Sequence, residues 1–270
     1  MSSSPAAGGI ASVTSECRTI AVANQKGGVG KTTTAINLGA ALAELGRRVL
    51  VVDLDPQANA TTGIGLDPRS LKTSVYDVIL DGRSIADCIF PTAVDGLMAV
   101  PSHLDLAGAE IELQSAFNRE RRLAGALSGV QDDFDYVFVD CPPALGLLAI
   151  NALTAVREVL VPIQCEYFAL EGLAQLTMHV DQIRRHLNPE LVLSKLLLVM
   201  HDSRTNLSRQ VIEEVRGLYK ERVCRTAIPR SVKLAEAPAS GLPITAYSPR
   251  SRAALTYRLL AKEFEADGAV

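Results

Sequence analysis

Short, unbroken apolar runs separated by stretches of helical periodicity limit most strongly the folds open to this chain. Residues 19–23, 49–53, 97–100, 136–140, 159–163 and 196–200 read as strands that are apolar along their length rather than alternately. Such strands bury both faces, which requires a parallel sheet covered by helices on each side. Helical spacing runs through 32–45, 170–187, 206–219 and 252–265, with Gly46 placed to stop the first helix. At 270 residues and 48% hydrophobic, the chain can fill one large core. The expected fold is α/β: a single doubly wound, mostly parallel sheet over 18–266, with short tails at 1–17 and 267–270. Ligands of such a sheet bind at the carboxyl ends of its strands.

The segment Gln25-Lys26-Gly27-Gly28-Val29-Gly30-Lys31-Thr32-Thr33 joins the first strand to the first helix. Small residues there let backbone N–H groups close around phosphates, and the helix N-terminus adds its dipole. Lys31 is placed to reach the β- and γ-phosphates of ATP, and the Thr32 hydroxyl to hold Mg²⁺. The general pattern G-x-x-x-x-G-K-[ST] asks for glycine where this chain has Gln25. Lys26 admits two readings by itself, a solvated surface charge or a second cation directed at phosphate.

Asp53-Leu54-Asp55-Pro56-Gln57 follows the second strand. Carboxylates one residue apart at a strand end point differently and can do different work; the plain alternative is an Asp-Pro turn in solvent. Asp140 ends another strand, and Cys141-Pro142-Pro143 then turns the chain. Five scattered cysteines without C-x-x-C pairs suit reduced thiols in a cytoplasmic protein, and Cys141 reads as a packed thiol. No apolar run approaches the ~18 residues of a membrane span, and the first 17 residues lack the features of a signal peptide.

The phosphate loop resembles the deviant Walker A loop, K-G-G-x-G-K-T-[TS], of the ParA/MinD family of ATPases. The likeness extends to Asp53 through Thr61, Ala107 through Leu113, Gln164 through Gly172, Arg204 through Leu207 and Ile228 through Pro238. These segments are most similar to chromosome-partitioning ParA (Soj-type) proteins. The resemblance implies that Lys26 crosses a dimer interface to the phosphates of the partner's ATP, in the manner of an arginine finger. It places Asp55 beside the attacking water, Asp53 near the Mg²⁺ shell and Asp140 as the Walker B aspartate. Gly27, Gly28, Val29, Gly30, Lys31, Thr32 and Thr33 then hold ATP phosphates, with Pro229 and Ser231 near the base. Relatives often carry Asn at the position of Ser231 and Arg at that of Lys233, so the base contact and a bidentate phosphate contact are the points where this chain departs.

The formal net charge of −3 announces no global basic field. The charge is uneven, however. Residues 202–258 hold eleven Lys and Arg against five Asp and Glu, a net +6 that leaves −9 elsewhere. Charge alone fits solvated helix faces. The resemblance implies non-specific binding of double-stranded DNA by an ATP-bound homodimer through Arg204, Arg230 and Lys233. It also implies slow hydrolysis stimulated by a ParB-type centromere-binding partner, and a cytoplasmic, nucleoid-associated protein. With 17 residues before the first strand, no N-terminal helix-turn-helix domain is expected, which disfavours a sequence-specific repressor. A MinD-like membrane regulator would need a basic amphipathic C-terminal helix, whereas 255–265 mixes in acids and reads as packed on the sheet. An iron–sulfur reductase would need cysteines that this pattern does not place. A paralogue that positions other cargo would use the same chemistry.

Overall fold

The computed structural model describes residues 16–166, 169–202 and 204–267. The expected tails lie outside the described residues except for Glu16, Cys17 and Asp267. Asp267 is the last residue of the C-terminal helix and pairs with Lys195 at 2.8 Å.

Seven strands form one sheet: β1 (Arg18–Val22), β2 (Val49–Asp53), β3 (Phe90–Pro91), β4 (Leu97–Val100), β5 (Tyr136–Asp140), β6 (Glu158–Gln164) and β7 (Val192–Val199). Their order is β3-β4-β2-β5-β1-β6-β7, parallel throughout except for the antiparallel β3–β4 pair. Helices α1 (Lys31–Ala43), α2 (Asn59–Gly63), α3 (Leu106–Leu113), α4 (Arg122–Leu127), α5 (Leu147–Ala155), α6 (Ala169–His186), α7 (Asn206–Tyr219), α8 (Val232–Glu236), α9 (Ile244–Tyr247) and α10 (Arg252–Asp267) fill the connections.

The continuous apolar strands feed two cores. Ile20, Val22, Val49, Val51, Tyr136 and Phe138 face one side, where α1 and α10 pack; Ala21, Leu50, Val52, Val137 and Val139 face the other, with α4, α5 and α6. Successive strand side chains point to opposite faces, so a fully apolar strand serves both. The apolar face of α10 is used here: Tyr257, Leu260 and Phe264 are at most 1% exposed. Arg18 locks that helix end, forking onto Glu158 at 2.8 Å and donating to the Phe264 carbonyl at 2.7 Å. Gly46, at φ +85°, ends the first helix as expected. Among the described residues no helix is long and apolar enough to cross a membrane.

Candidate active site

The site grows from the carboxyl ends of β1, β2 and β5. Register pairs Val22 with Asp140 and Asp53 with Asp140, so the phosphate loop and two carboxylates leave the sheet side by side. Gly28 and Gly30 sit at φ +73° and +79°, which a side chain would strain. A Cβ at Gly27, Gly28 or Gly30 would meet no protein atom within 4 Å, so the loop faces open space. Gly30 precedes α1, and no side chain caps that N-terminus. The free N–H groups of its first turn suit an anion.

Lys31 is 6% exposed and turns its Nζ to the Lys26 carbonyl oxygen at 3.3 Å. Burial lowers its pKa, while Asp140, Cys141 and Asp55 pull the other way. Asp140 is fully buried, and among the described residues neither carboxylate oxygen has a hydrogen-bond partner. Burial first, then the charges of Asp53 and Asp55, raises its pKa well above the carboxylate range; the Thr32 hydroxyl and Lys31 oppose the shift. A buried, unpartnered carboxylate beside a hydroxyl is costly unless a cation joins it. Asp140 and Thr32 therefore fit an oxygen-seeking ion such as Mg²⁺.

Asp53 behaves otherwise. Its Oδ2 accepts the Thr61 N–H at 2.7 Å and the Thr61 hydroxyl at 2.6 Å, and its Oδ1 accepts the Asp55 N–H at 3.2 Å. The carboxylate expected in the Mg²⁺ shell is thus engaged in bracing the Asp55 turn, because the short helix α2 brings Thr61 back beneath β2. Asp55 itself accepts the Gln57 N–H at 3.0 Å and lines a cavity of about 600 Å³ together with Gly27, Gly28, Gly30, Lys31, Thr32 and Thr33. A second cavity, about 240 Å³, adjoins it through Gly30 and Thr33 and is walled by Ile228, Pro229, Arg230, Ser231 and Tyr257. Pro229 is held there by a bridge to His201.

Lys26 is not among the described residues lining either cavity. Its Nζ instead lies 2.6 Å from Glu166 Oε2, with both side chains about half exposed. The rest of the loop's front is tied to the same region: Asn24 Nδ2 donates to the Pro162 carbonyl at 2.8 Å, and Gln25 meets His179 on α6 at 3.1 Å. The sequence assigns Glu166 no role although its segment carries the family likeness; the 140-residue separation from Lys26 hides the pair. Of the basic residues singled out, Arg204 is forked onto Asp202 at 2.9 and 2.7 Å, which holds the Asp202 carboxyl well below its usual range. Arg230 and Lys233 are exposed and form no ion pair among the described residues. Cys141 is buried against Asp140, and burial pushes its thiol pKa up, as a packed thiol requires.

A family profile described as an AAA domain matches residues 17–193. Over 249 residues the chain is 53% identical to the Bacillus subtilis sporulation initiation inhibitor protein Soj, covering 92% of this chain and 98% of that protein. It is 48% identical over 246 residues to the chromosome partitioning protein ParA of Myxococcus xanthus, covering 91% and 87%. Among solved structures, a cobyrinic acid a,c-diamide synthase from Mycobacterium smegmatis, with bound ADP and magnesium, superposes with a TM-score of 0.80 at 41% identity, covering 91% and 93%. The cell division ATPase MinD of Pyrococcus furiosus does so at 0.76 and 28% identity, covering 92% and 98%. Matched to ParA and Soj along most of its length, and carrying the double-lysine phosphate loop at the carboxyl edge of a parallel sheet, the chain belongs to the ParA/MinD-type family of P-loop ATPases, on the ParA (Soj) branch.

Proposed function

We propose that this chain is an ATP-driven switch for chromosome or plasmid partitioning, in which ATP closes a homodimer and hydrolysis to ADP and phosphate releases it. The observation that carries this reading is the division of labour between the two loop lysines. Lys31 is buried beside its own cavity, whereas Lys26 stands half exposed outside it, a position suited to a phosphate in a second copy.

The residues present fit the reaction. The N–H groups of Gly28 to Thr33 and the Lys31 ammonium hold the phosphates of ATP. Thr32 and Asp140 would hold Mg²⁺, which would supply neutralisation of phosphate charge. Asp55 orients water for attack on the γ-phosphorus, and Lys26 of the other copy stabilises the charge that develops. The apolar cavity at Pro229 and Ser231 takes the base. Asp53 acts as a brace for the Asp55 turn.

Arg230 and Lys233, with Arg204, give each copy a cationic strip. Pairing two copies doubles it, and phosphate contacts of this kind carry no sequence preference. A ParB-type partner that accelerates hydrolysis would then set the lifetime of the protein on nucleoid DNA in the cytoplasm. The test compares oligomeric state and affinity for random-sequence duplex DNA with Mg²⁺ and either ATP or ADP. ATP is expected to give a DNA-binding dimer and ADP a weakly binding monomer. Equal affinity with both nucleotides would overturn the switch.

A further inference from the structure

Asp55 is the only member of a buried ring of hydrogen bonds that lines the phosphate cavity among the described residues. From Asp53, at the end of β2, the ring passes to Thr61 on α2, which donates both its N–H (2.7 Å) and its hydroxyl (2.6 Å) to Asp53 Oδ2. The same Thr61 hydroxyl accepts the Ser102 N–H at 2.9 Å, just beyond β4. Ser102 Oγ then donates to the carbonyl oxygen of Asp55 at 2.7 Å, and the Asp55 N–H returns to Asp53 Oδ1 at 3.2 Å. Thr61, Ser102 and Asp53 are each at most 1% exposed, and none of them lines the cavity.

Two features make the ring directional. The Thr61 hydroxyl uses both capacities at once, donating a hydrogen bond to Asp53 and accepting one from the Ser102 N–H, so a hydroxyl is required there and a methyl cannot replace it. Asp55 is gripped at its N–H and its C=O, which fixes the backbone from which its side chain enters the cavity. Leu54 between the two aspartates donates its N–H to the Asp140 carbonyl at 3.0 Å, which pins the turn to β5 as well. A fully satisfied buried network is stiff: removing the Thr61 hydroxyl leaves the Ser102 N–H without its acceptor, and removing the Ser102 hydroxyl leaves the Asp55 carbonyl held by the Ala58 N–H alone, at 2.9 Å.

We propose that Thr61 and Ser102 are positioning residues for hydrolysis: the Thr61 hydroxyl, anchored on Asp53, holds the Ser102 backbone, and the Ser102 hydroxyl holds the Asp55 carbonyl, which together fix the Asp55 carboxylate at the place where it orients the attacking water. The proposal rests on the reading of Asp55 as the water-orienting group. Displacement of a reacting geometry by an ångström can cost about a hundredfold in rate, so loss of these bonds acts on turnover. ATP binding, which uses the loop and α1, is left in place.

The test uses the full chain with Mg-ATP and DNA. Thr61→Val, Thr61→Ser, Ser102→Ala and Asp55→Ala are compared for kcat, for KM and for nucleotide affinity. Thr61→Val is expected to lower kcat by about tenfold or more with KM within about threefold of wild type, and Thr61→Ser to restore most of the rate. Adding Thr61→Val to Asp55→Ala is expected to slow hydrolysis no further, since both act through one group. Ser102→Ala removes a single bond and is expected to lower kcat about threefold or more; it carries the test if Thr61→Val does not fold. A wild-type kcat in folded Thr61→Val or Ser102→Ala, beside a slow Asp55→Ala, overturns the proposal alone. A KM that rises in step with the fall in kcat makes the ring merely structural and also overturns it. A wild-type rate in Asp55→Ala overturns the reading of Asp55 and the proposal with it.

Discussion

Lys26 Nζ and Glu166 Oε2 stand 2.6 Å apart within one chain, at the front of the phosphate loop and the end of β6. A lysine that serves a second copy must leave this carboxylate first. The pair is half exposed, and such pairs contribute under ~1 kcal/mol. Glu166→Gln, which keeps the shape and removes the charge, is therefore expected to shift ATP-dependent dimerisation to lower protein concentration by up to about 25-fold, about fivefold for each of the two pairs that must break in a dimer. Analytical ultracentrifugation across a concentration series measures this. An unchanged midpoint would show that the pair does not restrain Lys26.

The cationic strip makes a prediction about salt. Arg230→Ala and Lys233→Ala are each expected to weaken binding to any duplex sequence and to reduce the slope of log affinity against log salt by about 2, one for each copy in the dimer. Arg204→Ala is expected to change the slope less, because its guanidinium already forks onto Asp202 at 2.9 and 2.7 Å. Fluorescence anisotropy with ATP at several salt concentrations distinguishes them.

Asp53 and Asp140 are register partners buried side by side. Burial pushes Asp53 up to about 6 from 3.8, and Asp140 well above 3.8. Since both values rise on folding, the folded form holds protons more tightly than the unfolded chain. The stability this contributes is full below about pH 3.8 and is lost as pH rises through about 6. Nucleotide-free Asp140→Asn, which carries no charge there, is expected to gain thermal stability over wild type as pH rises from about 5 to 7. Addition of Mg-ATP is expected to shrink the gap. Calorimetric melting at each pH reads it, and a pH-independent gap would contradict the account.

Gly65 and Gly241 meet backbone to backbone beside the phosphate cavity. A Cβ on Gly241 (φ +62°) would lie 2.7 Å from Gly65 Cα, and one on Gly65 (φ +87°) 2.9 Å from the Gly241 carbonyl oxygen. Alanine at either position is expected to cost on the order of 2 kcal/mol, from left-handed strain plus displaced backbone. Gly82→Ala, also at positive φ but with open space around it, should cost about 1 kcal/mol. Urea denaturation of the three variants compares the terms.

Much of the fold was legible because burial on both faces writes strands as unbroken apolar runs: β2, β4 and β5 fall on the expected residues. The edge strand β7 starts at Val192, earlier than its apolar run, because Ser194 and Lys195 lie at the sheet margin where polar groups are tolerated. Helix α5 leaves no periodic signature in the sequence because Leu148, Ala149, Asn151, Ala152 and Leu153 are all buried, which removes the polar face that periodicity needs. The phosphate loop was legible because its glycines answer a local backbone demand. Partners set by the fold were not: Glu166 for Lys26, and Thr61 for Asp53, depend on how β6 ends and where α2 turns back.

Completion of each site by the other copy is the central claim, and a mixing experiment tests it most directly. Lys26→Ala and Asp55→Ala proteins are combined before ATP is added, and phosphate release is measured. In a mixed dimer one site has an intact Asp55 from one copy and Lys26 from the other. Each variant alone is expected to be nearly inactive, while an equal mixture should recover about a quarter of wild-type hydrolysis, since half the dimers carry one complete site of two. A mixture no more active than its components would contradict the claim and return Lys26 to the site of its own chain.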